Sequence, residues 1–223
     1  MTRAVCNTND SQKSRAQVAF GRKNVKEQIK IMNNNYINEL TERLKNTEIW
    51  RGIDERCSDY SEGIRLLVDT FTVHKERESH LFFIGNGGSC AIASHMTADY
   101  MKNGGMNTYS LYDNAVTTCM GNDYGYEYIF SRPMEFLLRE GDLLVAISSS
   151  GNSANIINAI EMARGKGTTI ITFTGFEADN KAKQMGDVNV YVPCRKYGMV
   201  ESIHNLILQQ VVDLIMDRDG VRF

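Results

Sequence analysis

Residues 81–217 alternate short apolar runs with amphipathic stretches, and that alternation limits the fold more than any other feature of the chain. The runs are LFFI at 81–84, TYSLY at 108–112, DLLVAI at 142–147, TTIITF at 168–173 and VNVYV at 188–192. Helical periodicity lies between and after them, near 89–102, 126–139, 153–165 and 199–217. Strands that alternate with helices predict a parallel sheet covered on both faces. The expected fold is therefore α/β, a three-layer sandwich around a mostly parallel five-stranded sheet. Upstream, Ile29, Met32, Tyr36, Ile37, Leu40 and Leu44 recur at helical steps, and Ile64, Leu67, Val68 and Phe71 mark a second helix. These form an N-terminal helical extension. Residues 1–22 are mostly polar and read as a flexible leader, which leaves 23–223 as one domain.

Composition narrows the function classes. With 25 Lys and Arg against 27 Asp and Glu, and no run of five like charges, the chain has no basic face for direct contact with nucleic acid. The five cysteines, Cys6, Cys57, Cys90, Cys119 and Cys194, contain no Cys-x-x-Cys pair, which suits a reducing cytoplasm. No segment is apolar enough to span or enter a membrane.

In an open parallel sheet, ligands bind beyond the carboxyl ends of the strands. Two loops there have the same composition. Gly85-Asn86-Gly87-Gly88-Ser89 leads from the first run into a helix, and Ser148-Ser149-Ser150-Gly151-Asn152-Ser153 leads from the third run into another. Glycine lets backbone N–H groups approach an anion, the helix N-terminus supplies unpaired donors and partial positive charge, and serine hydroxyls add more. One such loop is equally the turn of any N-capped helix. Two at strand ends of one sheet point to a phosphate. A dinucleotide site competes: Gly85-x-Gly87-x-x-Cys90 lacks the third glycine, although Asp113 sits where a ribose-binding acid would.

A second constellation lies on two helices. His95 and Asp99 are four residues apart and share a face, Glu201-x-x-His204 has a metal-ligand spacing, and Gln209 is rotated by about 80° from Glu201. Nitrogen and carboxylate donors of this kind suit zinc or another divalent transition metal with an open position.

IGNGGS at 84–89, His95, GNDYGYEYIFSR at 121–132, EGDLLVAISSSGNSANI at 140–156 and the ESIH at 201–204 resemble the sugar isomerase (SIS) domain proteins, and among them the phosphoheptose isomerases. The resemblance implies the SIS fold, a homotetramer, and an aldose–ketose isomerase converting sedoheptulose 7-phosphate to a D-glycero-manno-heptose 7-phosphate for surface polysaccharide. Carried over, Asn86, Gly87, Ser89, Asp123, Ser148, Ser149, Ser150 and Ser153 hold sugar and phosphate. The family's His and Glu four apart, then Gln and His eight apart, fall on His95, Asp99, Glu201 and Gln209, the expected set for a divalent metal, zinc. Glutamine exchanges no proton near neutral pH, so catalysis falls to Glu201 or Asp99 as base, with His95 polarising the oxygens. Two readings of other classes remain: a non-catalytic tetrameric adaptor for the replication initiator, and a sugar-phosphate sensor.

Overall fold

All five expected strands are present, and the order in which they pair creates a crevice at their carboxyl ends. The computed structural model describes residues 25, 28–30 and 32–221, and the proposed leader lies outside them. The chain divides into two units, residues to Glu42 and Arg43–Phe223. In the first unit, helix α1 (positions 28–30 and 32–45, so continuing past the division) exposes Val25, Ile29, Met32, Tyr36 and Ile37.

The second unit carries the sheet. Its elements are β1 (Glu48–Arg51), β2 (Glu55–Arg56), α2 (Tyr60–Glu76), β3 (His80–Gly85), α3 (Gly88–Lys102), β4 (Asn107–Tyr109), α4 (Asn114–Tyr124), α5 (Ser131–Leu137), β5 (Leu143–Ser148), α6 (Ala154–Gly165), β6 (Thr169–Thr174), β7 (Val188–Tyr191) and α7 (Tyr197–Asp219). The sheet order is β2-β1-β7-β6-β5-β3-β4, with β4 to β7 and β3 parallel and the β1-β2 hairpin antiparallel. The sheet thus has seven strands where the sequence pattern predicts five. The two extra strands are a short charged edge ribbon, EIWR and ER, too brief and polar to stand out as apolar runs. They are tied on by buried Asn189, whose Nδ2 donates to the carbonyl of Gly52 in the hairpin turn at 2.6 Å.

The alternation of each central strand sorts the core into two layers. On one face Phe82, Ile84, Leu144, Ala146 and Ile170 pack with Ile156, Ile160 and Met134 of α6 and α5. On the other, the Tyr100 ring lies 4.7 Å from Phe71 and 5.1 Å from Phe83, joining α2 and α3 to β3. The expected helix at 126–139 is instead a 3-10 turn (Tyr126–Tyr128) and a seven-residue α5, preceded by an unexpected α4. Gly125, at φ 101°, breaks the helical path, and α4 buries no residue, so it carries no apolar stripe by which the sequence would reveal it.

His204 belongs to this core. It is fully buried on α7, donates Nε2–H to the Thr174 carbonyl at 3.0 Å, and meets Phe173 edge-on. Burial holds its imidazole neutral, with a pKa lowered to about 4. The unfolded chain binds this proton near pH 6.5 and the folded one does not, so stability falls as pH drops from about 6.5 toward 4. The loss amounts to about 3 kcal/mol. Urea unfolding across that window is expected to show the loss, and in His204→Asn to show less of it.

Candidate active site

Strand β3 sits between β4 and β5, so the chain leaves β3 outward to β4 and later returns to its other side at β5. The loops that follow β3 and β5 therefore part company at a topological switch point. Between them lies a cavity of about 260 Å³ lined by Asn86, Gly87, Gly88, Ser89, Ser148, Ser149, Ser150, Ser153, Tyr197 and Glu201. The two loops singled out in the sequence share one site.

The loops are built to leave donors free. Helix α3 begins after Gly87 (φ 54°) and α6 after Ser153, and neither has a side-chain cap, whereas Asp59 caps α2 and Asp113 caps α4. Uncapped first-turn N–H groups at two helix N-termini favour an anion. The Ser149 hydroxyl is buried and has no partner of its own, a group that a bound phosphate oxygen would satisfy. Ser148 and Ser89 are buried as well. Gly151, at φ 63°, turns the serine loop so tightly that a Cβ there would lie 2.8 Å from the Cβ of buried Asn180. Asp113, the would-be ribose acid, accepts from the backbone N–H of Val116 at 2.9 Å and is spent as a cap.

Glu201 reaches this cavity from α7. Its carboxylate lies over Gly88, where a Cβ would come 2.5 Å from the carboxyl carbon. The glycine at 88 thus makes room for the acid beside the phosphate loop.

The remaining three members of the expected metal set lie elsewhere. Asp99 Oδ2 is 3.2 Å from His95 Nε2 and accepts from Gln209 Nε2 at 2.6 Å. His95 is largely exposed, and Asp99 and Gln209 are half-buried. Glu201 precedes Gln209 by eight residues, about 12 Å along the axis of α7, and is not part of this cluster. Among the described residues no three His, Cys, Asp or Glu side chains gather as a metal group. The expected four-residue set is therefore divided, because α3 and α7 run side by side with Gly88 against Glu201 at one end and Asp99 against Gln209 further along. His95 and Asp99 are donor types that a divalent metal takes, and at 3.2 Å they are paired with each other.

Asp123 does not line the cavity. It is exposed on α4, where it accepts from Asn122 Nδ2 at 2.8 Å and from the Cys119 thiol at 3.5 Å. The Cys119 pKa is pushed up by that carboxylate. Four residues escaped the sequence reading. Tyr112 donates its hydroxyl to the Gly85 carbonyl at 3.0 Å; Asn155 and Tyr126 bond Asn86; Tyr197 walls the cavity and meets Phe176 edge-on. Asn155 and Tyr126 lie within motifs that stood out, SGNSANI and GNDYGYEYIFSR, but neither motif says which residue they bond.

The SIS domain family model matches residues 36–175, which include both loops and the switch point. The phosphoheptose isomerase of Aeromonas hydrophila is 34% identical over 184 residues, 80% of this chain and 93% of that protein. The chain belongs to the phosphoheptose isomerase family of SIS-domain proteins. Another relative, the phosphoheptose isomerase of Serratia proteamaculans, is 40% identical across 67% of this chain and 78% of its own. The solved phosphoheptose isomerase of Neisseria gonorrhoeae superposes with a TM-score of 0.72 at 28% identity, covering 86% of this chain and 98% of that one. The SIS fold and its two serine-bearing loops, expected from the sequence, are those of this family. No helix among the described residues is long and apolar enough to cross a membrane.

Proposed function

We infer that this chain is an aldose–ketose isomerase that converts sedoheptulose 7-phosphate to a D-glycero-manno-heptose 7-phosphate. The observation that carries the reading is one cavity in which two uncapped helix N-termini, the orphaned Ser149 hydroxyl and the Glu201 carboxylate meet, in a chain 34% identical to a phosphoheptose isomerase.

The phosphate occupies the serine loop, where Ser148, Ser149, Ser150 and Ser153 with the α6 N-terminus hold it, and its binding energy fixes the reacting carbons. Asn86, Gly87 and Ser89 face the sugar. Glu201 takes the proton from C1. The C–H electron pair forms the C1–C2 double bond and the C2 carbonyl becomes an oxyanion. A proton passes from the C1 oxygen to the C2 oxygen, Glu201, whose proton exchanges with solvent while the enediolate is bound, protonates C2, and the C1 carbonyl forms. The redox state of the molecule as a whole is unchanged. Glu201 is favoured over Asp99 as base because it lines the phosphate cavity, while one oxygen of Asp99 is engaged by both His95 and Gln209.

A divalent metal, zinc by donor type, belongs to the proposal, held by His95, Asp99 and the amide oxygen of Gln209. When bound it supplies polarisation of substrate oxygens. The enzyme works in the cytoplasm as a homotetramer, an assembly to which the exposed apolar stripe of α1 is suited, and its product feeds surface polysaccharide.

Purified protein incubated with sedoheptulose 7-phosphate is expected to yield aldose 7-phosphate, at a rate lowered by chelator and restored by zinc. Turnover that is indifferent to chelator removes the metal from the account. Saturable binding with no turnover removes the isomerase and leaves a sugar-phosphate sensor.

A further inference from the structure

The side chain of Asn86 is held at three points. Its Oδ1 accepts from Asn155 Nδ2 at 2.8 Å and from the Tyr126 hydroxyl at 3.1 Å. Its Nδ2 donates to Asn155 Oδ1 at 2.9 Å. Asn155 is buried and Asn86 half-buried at the cavity wall. A carboxamide offers two lone pairs and two N–H donors. Both lone pairs and one N–H of Asn86 are therefore spent within the protein, and the group left is one N–H. A free asparagine could turn either end toward a ligand. In the orientation where the Tyr126 hydroxyl donates, the group this one presents is a donor.

Tyr126 completes that restriction. It lies on the 3-10 turn just after Gly125, and its hydroxyl links the 121–132 segment to the β3 loop. Its ring is more than half exposed, so the hydroxyl adds little to the core. We propose that Tyr126 is a positioning residue that, with Asn155, orients Asn86 to present an N–H donor to an oxygen of the phosphosugar. The ligand atom this selects is an acceptor, either a phosphate oxygen or the lone pair of a sugar oxygen. The proposal rests on the isomerase reading for its substrate, while the orientation of Asn86 does not.

Tyr126→Phe keeps the ring and removes the hydroxyl, freeing one lone pair of Asn86. The expected result is a KM for sedoheptulose 7-phosphate raised about fivefold, the factor that corresponds to one ordinary hydrogen bond of ~1 kcal/mol. The kcat and the thermal midpoint stay near those of the unaltered enzyme, because neither the base nor the core is touched. The Asn86 side-chain amide resonances, assigned by their loss in Asn86→Ser, are expected to shift and exchange faster with solvent in Tyr126→Phe. Unchanged amide resonances overturn the proposal, as does a shift in them with no change in KM. Should the unaltered protein fail to turn the sugar over, the isomerase reading falls. The same comparison, read as the dissociation constant of sedoheptulose 7-phosphate with the amide resonances, then still decides the role of Tyr126.

Discussion

Replacing Glu201 by Gln is expected to lower kcat for sedoheptulose 7-phosphate by about 10²–10⁴-fold, the usual contribution of a positioned general base. The change keeps size and shape and removes only the ability to carry a proton. Glu201 is half-buried at the mouth of a polar cavity, with its carboxylate over Gly88 and no buried ion pair to lose, so the thermal midpoint should hardly move. KM should change little, because in the proposed binding mode the serine loop, not this acid, grips the phosphate. The companion variant is Asp99→Asn, which keeps an oxygen for His95 and Gln209 to engage. If that variant loses activity on the scale of 10²-fold or more and Glu201→Gln does not, the assignment of Glu201 as base is wrong.

Gly88→Ala tests the same acid without altering it. The added methyl would sit within 2.5 Å of the Glu201 carboxyl carbon, well inside van der Waals contact, so the carboxylate must move. Displacing a catalytic group by about 1 Å is worth about 10²-fold in rate, and a fall of that size in kcat is expected. Gly88 is the first residue of α3 and is exposed there, so the helix should tolerate alanine and the protein should remain folded. Steady-state kinetics with a circular dichroism melt would check both halves. A Gly88→Ala enzyme with full activity would show that Glu201 is not held where proton transfer needs it.

The legible part of this molecule is the part whose physics is local. LFFI and DLLVAI are apolar on both faces and became β3 and β5, buried throughout. The glycine and serine loops declared themselves because an anion cradle needs small residues at a helix start. The β1-β2 hairpin was not legible, since EIWR and ER depend on pairing with β7 far along the chain, backed by Asn189. Nor was α4, which buries nothing and so has no stripe. Among the site residues, the spacing of His95 and Asp99 correctly placed them on one face. Spacing on α7 likewise identified Glu201 and Gln209 as facing α3, but only the run of the two helices separates them along that face. His204, four residues beyond Val200 in an apolar register, has the spacing of a ligand and the position of a core residue. Tyr126 and Tyr112 bond the β3 loop from 40 and 27 residues away, pairings that the motifs containing them do not reveal.

The central claim is that this chain moves a proton between C1 and C2 of a seven-carbon ketose phosphate. Its most direct test is incubation of the purified protein with sedoheptulose 7-phosphate in deuterium oxide, followed by carbon and proton NMR. The account predicts an aldose 7-phosphate bearing solvent deuterium at C2, with none formed by Glu201→Gln on the same timescale. Ketose that is bound by the protein yet recovered unchanged and unlabelled would contradict it.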